Sequence, residues 1–170
     1  PLEEREVTVS RVEASVTYPA NFQLVAAMNP CPCGHFPDRS RCRCTDGQIT
    51  RYLQKVSGPM LDRIDICVEA SPITYGDIRS SGNNESSREI RARVEQARKI
   101  QGERFAGENI RCNGEMSGRH IRKFCWLGRE EEKFMEEIFK KLALSARMHD
   151  RILKVARTTA DLAEEEKIRL

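Results

Sequence analysis

The sequence predicts an α/β protein in which a β-hairpin and two sheet strands precede an all-α helical subdomain. β-Branched residues and short apolar runs are typical of the chain up to about residue 70. After about residue 84, helix-capping signals are followed by apolar residues at helical spacing. Residues 71–84 contain two glycines, Pro72 and a Ser/Asn cluster, which are typical of a linker. The predicted organisation is therefore a first part at 1–70, a linker at 71–84 and a helical part at 85–170.

Composition and charge indicate a folded protein, but they do not identify the class of molecule that it binds. The 170 residues are 39% hydrophobic and 32% charged, which is too apolar for a disordered chain. The net charge is only +3, so a nucleic-acid-binding patch must come from local clustering. The sequence shows neither an apolar run of roughly 18 residues nor a secretory signal. We therefore expect a cytoplasmic protein with no membrane partner, and Pro1 indicates a piece excised from a longer chain.

A β-hairpin is predicted at residues 7–18. Two runs rich in β-branched residues alternate with polar residues and meet near Arg11–Glu13. An ordinary hairpin at a sheet edge and a protruding finger with Arg11 near its tip both fit this pattern.

Two sheet strands are predicted after the hairpin. The run Phe22–Met28 is apolar except for Gln23, which indicates a strand buried on both faces. The turn signal Asn29–Pro30 ends it and places Asn29 at the carboxyl end of the strand. Because open α/β sheets bind ligands at that edge, Asn29 is a candidate site residue. The second strand is predicted at Ile64–Glu69, where apolar and polar residues mostly alternate.

Four of the seven cysteines form two C-x-C pairs separated by eight residues. Four thiolates on two short turns can close a tetrahedral shell around Zn²⁺, and nearby arginines would offset its negative charge. A closed shell leaves no open coordination position, so the prediction is a structural Zn²⁺ clip. Redox-active or free thiols, and His35 as a substitute ligand, are the alternatives. The predicted ligands are Cys31, Cys33, Cys42 and Cys44.

The remaining cysteines, Cys67, Cys112 and Cys125, are scattered. We expect them to be buried structural residues. An odd cysteine total, tight C-x-C pairs and the absence of a secretory signal favour a reducing cytosol over a disulfide framework.

Two arginines are candidate phosphate-contacting residues. Arg63 lies where a short helix, predicted at Pro59–Asp62, meets the second strand. It is either a surface residue paired with a neighbouring aspartate or a stiffly held guanidinium that reaches a phosphate on a neighbouring molecule. Ser145 can cap the last helix, which places Arg147 in its first turn. The helix dipole disfavours a cation there unless an anion is bound, and a solvated arginine is the plain alternative.

The helical part is predicted from capping residues and apolar stripes. Ser86 and Glu89 form a capping box, Ser117 starts a later element, and Asp46 is the predicted cap of a helix before the linker. The stripes predict the core of a small helical bundle. They comprise Ile90, Val94, Ala97, Ile100, Phe134, Met135, Ile138, Phe139, Leu142, Met148, Ile152, Val155, Ala156, Thr159 and Leu162.

Four stretches of the chain together resemble the second half of the ATPase module of magnesium-chelatase-like AAA+ proteins of the ComM/YifB type. They are Pro1–Val7, Val25–Gly34, Ser57–Ile66 and the region from Leu144 to Thr158. The resemblance covers essentially the whole chain. It implies the C-terminal part of an AAA+ αβα core, with its hairpin and two sheet strands, followed by a helical lid bundle.

The resemblance also implies roles for single residues. Asn29 would be the sensor-1 residue that orients the attacking water. Arg63 would be the arginine finger that acts on the ATP of a neighbouring subunit, and Arg147 the sensor-2 arginine of the lid. The hairpin would match the pre-sensor-1 hairpin, which in related hexameric helicases points into the pore toward DNA, and Arg11 would contact backbone phosphate.

The parent protein is therefore expected to be a hexameric Mg²⁺- and ATP-dependent motor that acts on DNA without sequence preference. The resemblance implies branch migration during recombination of incoming DNA. An ATPase subunit of a magnesium-chelatase-type metal-insertion enzyme is one alternative, although the Cys-rich insert is not expected of it. A non-enzymatic, zinc-stapled docking module is the other.

The chain contains neither G-x-x-x-x-G-K-[ST] nor an apolar run ending in Asp-Glu. The phosphate cradle and the Mg²⁺ ligands are accordingly expected before Pro1, and these 170 residues alone are not expected to hydrolyse ATP. A short sheet with an unprotected edge is expected to self-associate or to leave the N-terminal part partly disordered.

Overall fold

The computed structural model describes residues 2, 4–11, 14–79 and 85–169. The chain divides into two compact units, residues 1–64 and residues 65–170. A two-stranded antiparallel sheet combined with helices is consistent with the predicted α/β class. The predicted linker at 71–84 stays a prediction, since residues 80–84 lie outside the described residues.

The elements follow one another as two strands and then helices. They are β1 (Glu6–Arg11), β2 (Ala14–Pro19), α1 (Asp46–Leu53), α2 (Gly58–Leu61), α3 (Tyr75–Arg79), α4 (Ser87–Arg104), a 3₁₀ turn (Asn113–Glu115), α5 (Gly118–Phe124), α6 (Arg129–Leu142) and α7 (Ala146–Leu162). None of the described helices is both long enough and apolar enough to cross a membrane.

The predicted hairpin is confirmed. Strands β1 and β2 pair antiparallel, with Glu6 opposite Pro19 and Arg11 opposite Ala14. Hydroxyl pairs join the strands on one face, at 2.9 Å between Thr8 Oγ1 and Thr17 Oγ1. All residues of both strands are exposed, and Arg11 is the last residue of β1. Residues 12 and 13 lie outside the described residues.

The two predicted sheet strands at 22–28 and 64–69 are wrong. Residues 20–29 and 66–74 lie in neither helix nor strand. The side chains of Val25 and Val68 are 84% and 86% exposed, respectively. A strand requires backbone hydrogen bonds to a neighbour, and β1 and β2 form the one sheet in the part of the chain that the structure describes. Asn29 therefore does not end a buried strand.

Several helix starts predicted from capping residues are confirmed. Ser86 and Glu89 form a reciprocal box at α4, in which the Ser86 N–H donates to Glu89 Oε2 at 2.7 Å. The Ser145 hydroxyl accepts from the Met148 N–H at 3.2 Å and starts α7. The predicted cap of α1 is wrong by one residue. Thr45 caps this helix, because its hydroxyl oxygen, and not the Asp46 carboxylate, accepts the backbone N–H of the third helical residue.

The core of the 65–170 unit lies where α5 and α7 meet the loops around them. The rings of Phe105 and Phe124 meet edge to face with centroids 5.3 Å apart. The cluster of buried side chains consists of Phe105, Met116, Ile121, Cys125, Leu153 and Ile168.

The predicted apolar stripes are only partly correct. The buried residues of α7 are Leu153, Arg157, Ala160 and Asp161, so the buried face is rotated from the predicted one. Helix α6 is described in full and has no buried residue. The stripe on α7 misled the prediction because an ion pair between residues 157 and 161 occupies the interior.

That interior holds a buried polar network centred on Asp161, which is 0% exposed. Arg104 bonds both carboxylate oxygens, with Nη1 donating to Oδ2 at 2.7 Å. Asn113 Nδ2 donates to Oδ2 at 2.7 Å, and Arg157 Nε donates to Oδ1 at 3.1 Å. Burial raises the pKa of Asp161, but the bonds from Arg104 and Asn113 outweigh burial and hold that pKa below its ordinary value.

Replacing Asp161 by alanine should lower the free energy of unfolding by about 3–5 kcal/mol, because buried Arg157 loses its carboxylate partner. Since the folded-state pKa of Asp161 is depressed, its contribution is present above the ordinary carboxyl range and disappears as pH falls through the lowered pKa. The difference between wild type and variant should therefore shrink in acid. Denaturant unfolding followed by circular dichroism at several pH values measures both effects.

The matched control is Glu136→Gln, which removes an exposed carboxylate that accepts from Lys140 at 2.6 Å. Its unfolding midpoint should stay close to that of the wild type, because exposed ion pairs contribute little. Equal effects of the two substitutions would contradict the structural role of Asp161.

Candidate metal centre and candidate active-site residues

The structure brings the four predicted cysteine ligands together. The Sγ atom of Cys31 lies 3.4 Å from that of Cys33 and 3.8 Å from that of Cys42, and Cys33 lies 3.6 Å from Cys42. With Cys44, all four sulfur atoms lie within 4.8 Å of one another. A Zn–S bond of about 2.3 Å gives a tetrahedron with S–S edges of about 3.8 Å. The cluster therefore has the size of a single four-thiolate metal site.

Two tight turns present these sulfur atoms. The Gly34 N–H donates to the Cys31 carbonyl at 3.0 Å, and the φ angle of +79° at Gly34 is one that glycine adopts readily. In the second turn, the Cys42 N–H donates to the Asp38 carbonyl at 2.8 Å. The Asp38 carboxylate accepts from the Ser40 N–H at 2.9 Å and fixes that turn.

The environment of the thiols differs from one cysteine to the next. Cys31 is buried, Cys33 is exposed, and the other two are half-buried. The backbone N–H groups of His35 and Arg43 lower the pKa of Cys33 to about 6. Burial raises the pKa of Cys44 to about 11. A bound cation would stabilise the thiolate form at every position, including those where burial opposes it.

One of the nearby arginines, Arg39, lies beside the cluster. The Arg39 guanidinium pairs with the Asp46 carboxylate and lies 5.2 Å from the centroid of the Phe36 ring. It is also close enough to Cys42 and Cys31 for electrostatic attraction to their thiolates. His35, the alternative ligand, contributes its backbone N–H to Cys33 and is not in the metal-ligating group found among the described residues.

Asn29 lies beside the first of these turns. A Cβ atom placed on Gly34 would lie 3.8 Å from Asn29 Nδ2 and 3.9 Å from Asn29 Cγ. The Asn29 side chain thus packs over the turn that carries Cys31 and Cys33. Asn29 is exposed, so its amide is accessible for further hydrogen bonds.

Arg63 is held at the end of α2. Its Nη1 donates to the Pro59 carbonyl at 2.7 Å, and the residue is half-buried. The predicted helix at Pro59–Asp62 begins one residue earlier, at Gly58. Asp65, one of the aspartates expected to pair with Arg63, pairs with Arg151.

Arg147 lies exposed in the first turn of α7, two residues after the Ser145 cap. Sequence reasoning missed Arg151, which follows one helical turn later on the same side of the helix. The Arg151 side chain is 14% exposed, and its Nε lies 3.2 Å from Asp65 Oδ1. Its Nη1 is buried with no hydrogen-bond partner among the described residues. The four-residue spacing between Arg147 and Arg151 is the sequence pattern that could have identified Arg151.

The scattered cysteines do not behave alike. Cys125 is buried as predicted, and burial raises its pKa to about 11. Cys67 is exposed, so that prediction is wrong, because the strand expected to bury Cys67 is not formed. Cys112 is half-buried.

Two family profiles match the chain in succession. The profile described as "Magnesium chelatase, subunit ChlI" matches residues 1–78. The profile described as "Magnesium chelatase, subunit ChlI C-terminal" matches residues 84–170.

Individual relatives match over nearly the same range. The chain is 42% identical over 169 residues to the competence protein ComM of Haemophilus influenzae and 42% identical over 170 residues to the uncharacterized protein YifB of Escherichia coli. It is 37% identical over 163 residues to an uncharacterized protein of Mycobacterium tuberculosis. These matches cover 99%, 99% and 96% of this chain but 32% of each relative. The chain therefore spans about a third of the length of the curated relatives that it matches.

The chain should bind one equivalent of Zn²⁺, and Cys31→Ser should weaken that binding by more than the roughly 10–100-fold that outer-shell groups contribute. A direct ligand is lost, and the replacement hydroxyl is a poor Zn²⁺ ligand. Calorimetric titration measures the stoichiometry and affinity. Binding at neutral pH should also release protons, because the pKa of Cys44, near 11, keeps that thiol protonated beforehand.

Cys67→Ser is the control, because Cys67 is exposed and outside the four-cysteine group. Its stoichiometry and affinity should equal those of the wild type. Binding that survives Cys31→Ser unchanged would show that the cluster is not the metal site.

Proposed function

Because this chain belongs to the magnesium-chelatase-like family of the ComM/YifB type, we propose that it forms the end of an AAA+ αβα core followed by the helical lid. The family and the similarity to ComM point to an AAA+-type ATPase. The observation that carries the proposal is the 42% identity to ComM over 169 residues, which are 99% of the chain.

Two segments with exposed apolar side chains support the core assignment. Residues 20–29 and 66–74 carry apolar side chains but pair with no strand among the described residues. Apolar side chains exposed to water in this way are typical of a surface that another part of a protein covers. In the proposed assembly, the rest of the parent protein covers these apolar side chains.

Each candidate residue has a distinct task in the proposed reaction. The accessible Asn29 amide orients the water that attacks the γ-phosphate. Arg63 reaches the ATP of a neighbouring subunit, and Arg147 contacts phosphate from the first turn of α7. Phosphoryl transfer depends mainly on positioning and charge neutralisation, so arginines from another subunit and from a lid make turnover depend on assembly.

ATP and Mg²⁺ would be held mainly outside these 170 residues, because neither a phosphate-cradle motif nor an Asp-Glu motif occurs in them. We accordingly propose that this chain alone does not turn over ATP. The Cys31–Cys44 cluster would hold Zn²⁺ as a closed structural clip, with no open position for catalysis.

We further propose that the parent is a hexameric motor that acts on DNA. The β1–β2 hairpin is exposed throughout, and Arg11 at its end can contact backbone phosphate without reading sequence. The Haemophilus influenzae relative is named a competence protein. The parent would act in recombination of incoming DNA, as a branch-migration motor.

A metal-insertion ATPase is the second candidate, and the description of both family profiles as magnesium chelatase favours it. The two functions differ in what stimulates turnover. A DNA motor responds to DNA, whereas a chelatase subunit responds to the enzyme that holds its porphyrin.

In the full-length parent, ATP turnover should rise with single-stranded or branched DNA. Arg63→Ala should abolish this rise, because arginine fingers contribute about 10³–10⁵-fold to turnover. Phosphate release assays with and without DNA measure both effects.

Arg51→Ala is the matched control, since it removes another arginine of the 1–64 unit, from the last turn of α1. This variant should retain DNA-stimulated turnover. Turnover that does not change when DNA is added would contradict the DNA-motor proposal and favour the chelatase. Full activity of Arg63→Ala would contradict the proposed arginine-finger role of Arg63.

Arg11→Ala in the same parent should weaken DNA binding equally for all sequences and reduce the salt dependence of binding by about one counterion. The slope of log affinity against log salt concentration, from fluorescence anisotropy, is the readout. Arg98→Ala, a loss of one exposed positive charge on α4, should leave the slope unchanged. Equal slopes for wild type and Arg11→Ala would show that Arg11 does not contact the DNA backbone.

A further inference from the structure

We propose that the four-cysteine metal clip is a positioning device for Asn29, so that metal binding orders the Asn29 side chain. This inference rests on the proposed Zn²⁺ site and deepens the proposed role of Asn29. Two independent features of the structure connect the metal ligands to this residue, one through the backbone and one through packing.

The backbone connection is short and stiff. Cys31, which is 0% exposed, is separated from Asn29 by one residue, Pro30, and is followed by Pro32. Each proline ring fixes its own φ angle, and a proline restricts the residue before it to extended conformations. Fixing the Cys31 sulfur on a metal therefore leaves the Asn29 backbone few alternatives.

The packing connection runs through Gly34. Its backbone lies beneath the Asn29 amide, since an added Cβ would be 3.8 Å from Asn29 Nδ2. The Gly34 N–H closes the turn onto the Cys31 carbonyl at 3.0 Å. The Phe36 N–H approaches the Cys31 sulfur at 3.5 Å, so the residues after the turn are also directed toward the metal ligand.

Secondary structure offers Asn29 no comparable support. Residues 20–29 lie in neither helix nor strand, and Phe22 and Met28 are 54% and 53% exposed. The turns that carry the cysteines are therefore what order the chain next to Asn29. Metal binding and local folding are coupled at such sites, because the ligands are not fixed in the absence of the metal.

The coupling must also act in reverse. If metal binding favours one orientation of Asn29, a ligand that holds Asn29 in that orientation tightens metal binding by the same factor. Occupancy of the metal site would thus affect the orientation of Asn29, although Asn29 itself does not bind the metal.

Side-chain amide NMR of this chain, labelled with ¹⁵N-asparagine, tests the inference directly. Addition of one equivalent of Zn²⁺, or of ¹¹³Cd²⁺ as a probe of thiolate ligation, should shift the Asn29 amide pair and raise its heteronuclear NOE. Asn21, which is exposed and also lies within residues 20–29, should change much less. Asn113, buried in the other unit, should not change.

Two variants separate a positioning role from general stabilisation. Cys33→Ser should abolish the Asn29 response together with tight metal binding. Pro30→Gly keeps all four thiols but removes the stiff link, so it should retain one bound ¹¹³Cd²⁺ and lose most of the Asn29 response.

The outcomes distinguish the two claims. If ¹¹³Cd²⁺ does not bind at one equivalent with four sulfur ligands, the metal site itself is wrong. If the metal binds but Asn29 responds no more than Asn21, or if Pro30→Gly leaves the response intact, the metal site stands and the positioning role is overturned.

Discussion

The buried carboxylate of Asp161 is the interaction on which the 65–170 unit depends. It joins the last turn of α4 through Arg104, the 3₁₀ turn through Asn113 and its own helix through Arg157. Arg157 in turn donates to the carbonyl oxygens of residues 165 and 166 at 2.5 and 2.6 Å, which ties down the segment after α7. Each charge is paired and hydrogen-bonded, which is the condition under which burial of charges is tolerated.

This network also bears on function, because α7 carries the candidate phosphate-contacting end. Arg147 and Arg151 lie in the first half of the helix, and Asp161 lies near its other end. A helix fixed at one end by a buried ion-pair network presents the opposite end at a defined position. The lid proposed for this family requires such a rigid element, since an arginine that contributes to phosphoryl transfer must be held in place.

The 1–64 unit is stabilised differently. Its buried apolar residues among those described are Cys31 and Ile49, which is too small a core to order a chain of this length. Small units of this kind depend on staples such as structural metals. The four-cysteine cluster, the capped start of α1 and the Arg39–Asp46 ion pair all lie within residues 31–53.

Local patterns in the sequence correctly predicted the structural features that depend on local interactions. Alternation predicted the hairpin, hydroxyl and carboxylate residues predicted the starts of α4 and α7, and cysteine spacing predicted which sulfur atoms come together. Patterns that depend on distant partners failed. The run at 22–28 is apolar enough for a buried strand, yet no described strand lies beside it. The buried face of α7 was misjudged because Arg157 and Asp161 satisfy each other's charge, which hydrophobic periodicity cannot register.

The central claim is that Arg63 completes an active site on a neighbouring subunit, and a mixing experiment tests it most directly. Full-length Arg63→Ala protein would be combined with full-length protein that lacks the phosphate-cradle lysine, each being inactive alone. Mixed assemblies should regain ATP turnover, because some interfaces then join an intact cradle to an intact Arg63. Turnover that stays at the level of the separate variants at every mixing ratio, in assemblies shown to contain both, would contradict the claim.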